Sequence, residues 1–345
     1  MIPDVLIVGA GPAGSVAALV LARAGVRVRI VDRATFPRDK LCGDTLNPGS
    51  LAILDRLGRP EGRPLHLGEA IRARALPITG MMVTGPGGAS VASDYPDNLR
   101  GAAITRRDLD LLLLDAAVAA GADFIPGVQV RGPLMAAGRA AVTGARARGA
   151  TGDVDMSARI VIGADGRRSK LASALELAAF GAPRRWAFGA YFEDVDGVTC
   201  RGEMHIRPDG YIGVSPLPGG LTNVCVVRED FRLKAEATLS LVASGVGAAH
   251  ASPLPGNVIA TAIAAEPALA ARFAHARQVT RVTSLGPLAV ESRTQEDGTE
   301  PTSGTAHGDT AGRALASRIA AIAAENRSHV TRSSASCLRP FPVSE

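Results

Sequence analysis

The chain has 345 residues, 46% hydrophobic and 21% charged, with a net charge of +5. That length allows one large core or two domains, and that balance is the balance of a globular protein. Lys40, Lys170 and Lys234 are the only lysines, so scattered arginines carry the charge; without a basic stripe interleaved with aromatics, a nucleic-acid surface is not expected.

Asp4-Val5-Leu6-Ile7-Val8 reads as a strand, Gly9-Ala10-Gly11-Pro12-Ala13-Gly14 as a glycine turn, and an Ala/Leu/Val helix follows. Val26-Arg27-Val28-Arg29-Ile30-Val31-Asp32-Arg33 is then a second strand that ends in an acid. This order is the one that grips a dinucleotide. Gly9 permits the tight turn, Gly11 lets the backbone approach a pyrophosphate, and Gly14 lets the helix pack on the strand. N–H groups at the helix start face the negative charge. Asp32 lies at roughly the ~20-residue offset where a carboxylate accepts ribose hydroxyls. The competing reading is a turn used only for packing; the flanking strands and the acid favour the dinucleotide.

Residues 36–44 form a loop. Leu46 to Leu57 reads as a helix with Pro48 in its first turn and Gly58 at its end. Residues 59–100 mix Gly and Pro with short β-like pieces such as Met81-Met82-Val83-Thr84. Asp108 to Ala120 is expected to be a helix, apolar on most faces and therefore buried. Phe124 to Ile162 reads as short strands ending in Ile160-Val161-Ile162. From Trp186 the texture changes. Segments 186–195, 203–206, 211–217 and 222–227 are separated by turns at Arg207-Pro208-Asp209-Gly210 and Pro218-Gly219-Gly220, which suggests an antiparallel meander. Helices are expected at 230–243, 266–276 and 311–325. The chain turns polar after Val290, and the Ser/Arg-rich end from Arg327 reads as frayed. The apolar run at 5–8 is too short for a signal peptide. No run of ~18 uncharged apolar residues predicts a membrane span.

Cys42, Cys200, Cys225 and Cys337 show no C-x-x-C spacing, and the six histidines show no ligand spacing. No metal site or disulfide framework is expected, and reduced thiols fit a cytoplasmic location. No catalytic triad is visible. Trp186, Tyr191 and Phe192 read as strand packing rather than a substrate box. Cys42 reads as a small buried residue, with a redox thiol as the alternative.

Two further motifs stand out. Gly163-Ala164-Asp165-Gly166 follows an apolar strand, and its glycines allow close approach to a cofactor; alone it is an ordinary Asp-Gly turn. Arg106-Arg107-Asp108-Leu109-Asp110 precedes the expected buried helix, where Asp108 suits the helix start and Arg106 alone is a solvated arginine. Together with the first glycines, and in this order, they resemble the FAD-dependent oxidoreductases of the para-hydroxybenzoate hydroxylase-like superfamily. Lys40-Leu41-Cys42-Gly43-Asp44 and Gly286-Pro287-Leu288 look most like its geranylgeranyl reductase-like branch. The resemblance covers about residues 3–291.

The resemblance implies an α/β fold with an α+β insertion: a Rossmann-like FAD-binding domain with an inserted antiparallel β-sheet substrate domain. The FAD-binding parts would be 1–64, 101–183 and 281–345, the last atypical or truncated; the substrate parts would be 65–100 and 184–280. Gly9, Gly11, Ala13 and Gly14 would cradle the FAD pyrophosphate. Asp32 would hold the adenosine ribose, with Arg33 beside the adenine. Arg106 would reach the phosphate or ribityl region. Asp165 and Gly166 would shape a second phosphate-facing loop, and Cys42, Gly43 and Asp44 would lie near the isoalloxazine.

The C-terminus departs from the family pattern. Gly308 and Asp309 match its Gly-Asp pair, but the strand before and the Pro/Gly turn after are missing, as a truncated or frame-altered tail would leave it. The implied activity is reduction of a carbon–carbon double bond of an isoprenoid-like or other small apolar substrate. NAD(P)H is a candidate electron donor. The alternatives are an NAD(P)H-dependent monooxygenase hydroxylating a small molecule, and a non-catalytic FAD-binding remnant. The absence of a Trp-x-Trp-x-Ile-Pro signature argues against a flavin halogenase. Peripheral membrane contact is compatible with a lipid-like substrate. The sequence sets no oligomeric state.

Overall fold

Strand β1 (Val5–Val8) is apolar and buried along its whole length, helix α1 (Pro12–Arg23) follows the glycine turn, and β2 (Val28–Asp32) ends in the acid. They open a computed structural model that describes residues 2–57, 66–137, 141–179, 185–229, 255–288 and 291–292. The chain continues through β3 (Thr45–Leu46), α2 (Pro48–Leu57), α3 (Leu67–Arg72), β4 (Leu76–Ile78), β5 (Gly80–Thr84), β6 (Ser90–Asp94) and β7 (Gly101–Ala103). Helix α4 (Arg106–Ala119) leads to β8 (Asp123–Pro126), β9 (Gln129–Met135), β10 (Val142–Gly149), β11 (Gly152–Ser157), β12 (Ile160–Gly163) and α5 (Lys170–Ala174). Then come β13 (Ala178–Ala179), β14 (Arg185–Glu193), β15 (Arg201–Arg207), β16 (Gly210–Pro216) and β17 (Thr222–Glu229). The last described elements are α6 (Pro255–Ala264), α7 (Pro267–Arg272), β18 (Arg277–Gln278), β19 (Thr283–Leu285) and β20 (Glu291–Ser292).

Two compact units result, and each is discontinuous in sequence. The first contains Met1–Phe36 and Leu113–Leu177, the second Pro37–Leu112 and Ala178–Arg293. In the first, a parallel sheet runs in the order β12-β1-β2-β8. A separate antiparallel sheet, β11-β10-β9, belongs to the same unit. Leu6, Val8 and Val31 pack with Val128, Val130, Ala145 and Leu171 into one core. Each Leu or Val among them contributes about 1.5–3 kcal/mol when fully buried.

In the second unit the largest sheet runs β18-β14-β17-β16-β15-β5-β6, with β19 also beside β14. Strands β15, β16 and β17 form the expected meander; β14 lies antiparallel to β17 and β5 parallel to β15. One face carries Phe188, Ala190, Phe192, Ile212, Val214, Val224 and Val226, which pack with Val258, Ile259 and Ile263 of α6 and Leu269 of α7. On the same side, Glu203 accepts from His205 Nε2 at 3.0 Å and from Arg272 Nη1 and Nη2 at 2.7 and 2.9 Å. Burial pushes the Glu203 carboxyl up, but these partners more than offset it and leave it below its ordinary value. Arg272→Ala should therefore lower stability by about 2–3 kcal/mol, because it strands a buried carboxylate. Since the folded carboxyl is depressed, the loss should be full at neutral pH and shrink under acid as Glu203 protonates. Urea unfolding at neutral and acid pH measures both.

Three sequence expectations are corrected. Thr45 and Leu46 pair with β7, so the helix expected from Leu46 starts at Pro48. Helix α4 begins at Arg106, two residues early, and Asp115 and Val118 are exposed, so it is amphipathic rather than buried all round. Helix α6 was not anticipated; Pro255 in its first turn is its start signal. The expected helices at 230–243 and 311–325 lie outside the described residues. No described helix is long and apolar enough to cross a membrane.

Candidate functional site

The glycine turn of the first unit is built from close backbone contact. Gly9 has φ +104°, and a Cβ there would overlap the Ala164 carbonyl. The Gly9 N–H donates to Val31 O at 2.8 Å, and the Ala164 N–H donates to Val8 O at 2.7 Å. A Cβ on Gly14 would overlap the Gly9 carbonyl, so the helix and the turn touch through bare backbone. Gly11 is the N-cap of α1 and no side chain caps it. The first-turn N–H groups of a helix have no intrahelical acceptor, and they carry the positive end of its dipole. Ala13 is exposed there.

Asp32 is fixed beside the turn. The Ala10 N–H donates to its Oδ2 at 2.8 Å and the Ala34 N–H to its Oδ1 at 2.9 Å. Each carboxylate oxygen keeps a lone pair, which is the arrangement needed to accept two ribose hydroxyls. Arg33 is exposed. Asp165 Oδ2 accepts from the Lys170 N–H at 2.8 Å, while its buried Oδ1 has no partner. Gly166 follows at φ +82°. An uncapped helix start, a carboxylate with spare lone pairs and an orphaned buried carboxylate oxygen therefore lie in one unit. They fit a dinucleotide with hydroxyl-bearing sugars.

The second unit holds the other predicted residues. Thr105 caps α4: the Asp108 N–H donates to Thr105 Oγ1 at 3.1 Å, and Thr105 Oγ1 donates to Asp108 Oδ2 at 2.6 Å. The hydroxyl oxygen thus satisfies one of the orphan N–H groups of the first turn, as an N-cap threonine does. Arg106 is not solvated. Its Nε and Nη2 donate to the two oxygens of Asp110 at 2.7 and 2.8 Å, and Arg38 reaches Asp110 Oδ2 at 2.9 Å. Asp110 is fully buried, and the Asp110 and Cys42 partners raise the Arg106 guanidinium despite burial.

Asp44 is 2% exposed and has φ +53°, in the left-handed region. Its backbone O accepts from the Ile104 N–H at 2.9 Å, its Oδ1 from the Arg106 N–H at 3.2 Å, and its Oδ2 from the Tyr191 hydroxyl at 2.8 Å. Burial pushes its carboxyl up to about 7. Burial and the neighbouring Asp44 charge also raise the Tyr191 phenol. Asn223, opposite Tyr191 in the β14–β17 register, donates Nδ2 to Cys42 O at 2.8 Å. Its Oδ1 is buried and without a partner. Cys42 is half-buried and Gly43 exposed. Burial lifts the Cys225 thiol to about 12.

The structure thus gathers Gly9, Gly11, Ala13, Gly14, Asp32, Arg33, Asp165 and Gly166 in one unit. Cys42, Gly43, Asp44 and Arg106 gather in the other. Gly308 and Asp309 lie outside the described residues. Sequence reasoning missed Tyr191, which is a hydrogen-bonding residue and not packing alone, and Asn223. It also missed the tie between Arg106 and Asp110, although their i,i+4 spacing within R-x-x-L-D was its signal. Asp32→Ala should free the Ala10 and Ala34 N–H groups and weaken dinucleotide binding about 10- to 100-fold, on the scale of 1.4 kcal/mol per tenfold. Fluorescence titration with FAD, read as a Kd, checks it.

Comparison with known proteins gives the site its context. Residues 3–208 match the FAD binding domain family. The menaquinone reductase of Mycobacterium tuberculosis is 37% identical over 246 residues, covering 65% of this chain and 54% of that protein. The geranylgeranyl diphosphate reductase of Rhodobacter capsulatus is 35% identical over 173 residues, or 49% of this chain and 38% of that protein. The chain spans about half the length of the menaquinone reductase it matches. In fold it is similar to a myxobacterial FAD-dependent chondrochloren halogenase, with TM-score 0.70 and 21% identity, covering 84% of this chain and 65% of that one. It is also similar to a geranylgeranyl bacteriochlorophyll reductase-like protein of Thermoplasma acidophilum, with TM-score 0.63 and 23% identity, covering 82% and 66%.

Proposed function

Because the chain belongs to the FAD binding domain family, we propose that it is an FAD-dependent oxidoreductase that reduces a carbon–carbon double bond of an isoprenoid-like or other small apolar substrate. The observation that carries FAD is the dinucleotide cradle: the uncapped α1 start, Asp32 with spare lone pairs and the unpaired Asp165 Oδ1. Bound FAD supplies hydride chemistry, which is the cofactor's own. The protein's residues hold and orient it. Gly11, Ala13 and Gly14 present N–H groups to the pyrophosphate, and Asp32 accepts from the ribose.

The apolar substrate class is supported by the second unit. On the sheet face away from α6 and α7, Met81, Val83, Met204 and Tyr211 are only part-buried, and Ile206 is exposed. The double-bond reaction is supported by relatives named for reductases, of menaquinone and of geranylgeranyl diphosphate. A reduction that adds hydride also needs a proton, and the Asp44–Tyr191 pair lies in the same unit as the apolar face.

The test uses the purified full chain loaded with FAD. Its flavin bands should bleach on addition of NAD(P)H or dithionite. They should return, without dioxygen, on addition of geranylgeranyl diphosphate or menaquinone, with the product saturated at a prenyl double bond rather than reduced only at the quinone ring. Bands that return only with dioxygen, yielding a hydroxylated product, would overturn the reductase reading. Failure to bind FAD would overturn the cradle.

A further inference from the structure

Asp44 is unusual among the acids of the second unit. It is buried, its backbone is left-handed, and its nearest side-chain partner is a phenol rather than a cation. Asp is one of the few side chains that enter this region readily, and here the Ile104 and Arg106 N–H groups hold it in place. The groups facing Asp44 are Arg106 and Asp110 from α4 and Tyr191 from β14; Cys42 and Asp39 of the preceding loop face Tyr191. Cys225 faces Asp44 from β17. Arg106 and Arg38 both pair with Asp110; the Arg106 charge still lowers the Asp44 carboxyl, but burial outweighs it.

The geometry fixes where a proton on this carboxyl would sit. Oδ1 already accepts the Arg106 N–H, so the proton goes to Oδ2, the oxygen 2.8 Å from the Tyr191 hydroxyl. With Asp44 ionised, Tyr191 donates inward. With Asp44 protonated, the carboxyl donates to the phenol oxygen, and the phenol proton is free to point away from Asp44.

We infer that Asp44 and Tyr191 form a proton-donating pair for the reduction: Tyr191 delivers its phenol proton to the substrate and recovers one from the Asp44 carboxyl. The Tyr191 O–H bond breaks as a substrate–H bond forms. The Asp44 O–H bond then breaks as the phenol is restored, and water reprotonates the carboxylate. The reduced flavin is the hydride source. A carboxyl that titrates at about 7 is half-protonated at neutral pH, which is the condition under which an acid both gives and regains a proton rapidly. Asn223 is a positioning residue here: its Nδ2 ties Cys42 O to β17, two residues before Asp44. The inference rests on the double-bond reduction proposed above.

The experiment uses the FAD-loaded full chain, Asp44→Asn and Tyr191→Phe. Asn tolerates the left-handed backbone, and Phe removes one oxygen, so both variants should fold and bind FAD; flavin spectra check this. Infrared difference spectra across pH should show a protonated-carboxyl band that fades through about pH 7 in the wild type and is missing from Asp44→Asn. After dithionite reduction without dioxygen, reoxidation of the flavin by geranylgeranyl diphosphate or menaquinone should slow as pH rises past about 7. Asp44→Asn should lose that pH dependence, and both variants should be about 100-fold slower, the usual share of a general acid. Tyr191→Phe should keep the carboxyl band. A wild type in which the band is absent throughout, or variants with the wild-type rate and pH profile, would overturn the pair alone. A wild type inert toward both acceptors would overturn the reduction itself, and the pair's role with it.

Discussion

Asp44→Asn is expected to unfold at a higher urea concentration than the wild type at pH 8, and at the same concentration at pH 4. The folded carboxyl is raised from an ordinary 3.8 to about 7, chiefly because burial removes water from its charged form. A raised carboxyl binds its proton more tightly in the folded than in the unfolded chain. Below about pH 4 both states are protonated and nothing is lost. Between about pH 4 and 7 the unfolded chain ionises first, and the wild type loses stability as pH rises; above about 7 the loss is complete. A rise of about three units corresponds to on the order of 4 kcal/mol at the ceiling. The neutral amide carries no such cost. Its oxygen still accepts the Arg106 N–H, and its NH2 still meets the Tyr191 hydroxyl, now as donor. Parallel pH dependence in the two proteins would show that Asp44 is ionised in the fold at little cost.

The same substitution should stabilise the protein and slow its chemistry. Nothing in the packing of Asp44 requires a carboxyl: an amide satisfies the start of α4 and the phenol equally well. A group that costs stability at neutral pH and that a neutral isostere would replace is what a stability–activity trade-off looks like at a working site. A purely structural Asp44 would show the stability gain without the change in pH profile.

What was legible in the sequence is what the backbone writes locally. The glycine turn, the helix after it and Asp32 lie within one short stretch, and each element follows from spacing alone. The apolar run Ile160-Val161-Ile162 marked a strand, but not that it pairs in parallel with β1, because that partner lies far away in the chain. The second unit's polar cluster was not legible, because its partners are far apart in the chain. Asp44 and Tyr191 are 147 residues apart, and Cys42 and Asn223 are 181 apart. Alternation along β14 reported only that Tyr191 faces opposite to Phe188 and Phe192, not what it meets. Leu46 has helix-forming neighbours, yet its pairing with Ala102 drew it into a strand, where tertiary context outweighs local propensity.

Gly14→Ala is expected to lose FAD binding outright and to lower stability by about 4 kcal/mol or more, in the range reserved for a small set of disruptive mechanisms. Ala is ordinarily the better helix former, worth roughly 0.5–1 kcal/mol over Gly, so propensity alone predicts a gain. Packing decides the sign. The added Cβ would overlap the Gly9 carbonyl, which is backbone and has no rotamer to escape into. Gly9 is held from the other side, since its own N–H is bonded to Val31 O and the space above its Cα is filled by the Ala164 carbonyl. Relief therefore requires α1 to lift from the turn. Lifting it moves the N–H groups of its first turn and shifts Ala10, whose N–H holds Asp32. Stability and cofactor affinity should consequently fall together. Gly149→Ala is the control: a Cβ there meets nothing within 4 Å, so its change should stay within about 0.5 kcal/mol. Thermal unfolding with and without FAD measures both variants. A Gly14→Ala protein that retained its flavin and its melting temperature would mean that α1 does not rest on the turn, and the cradle built on that contact would have to be abandoned.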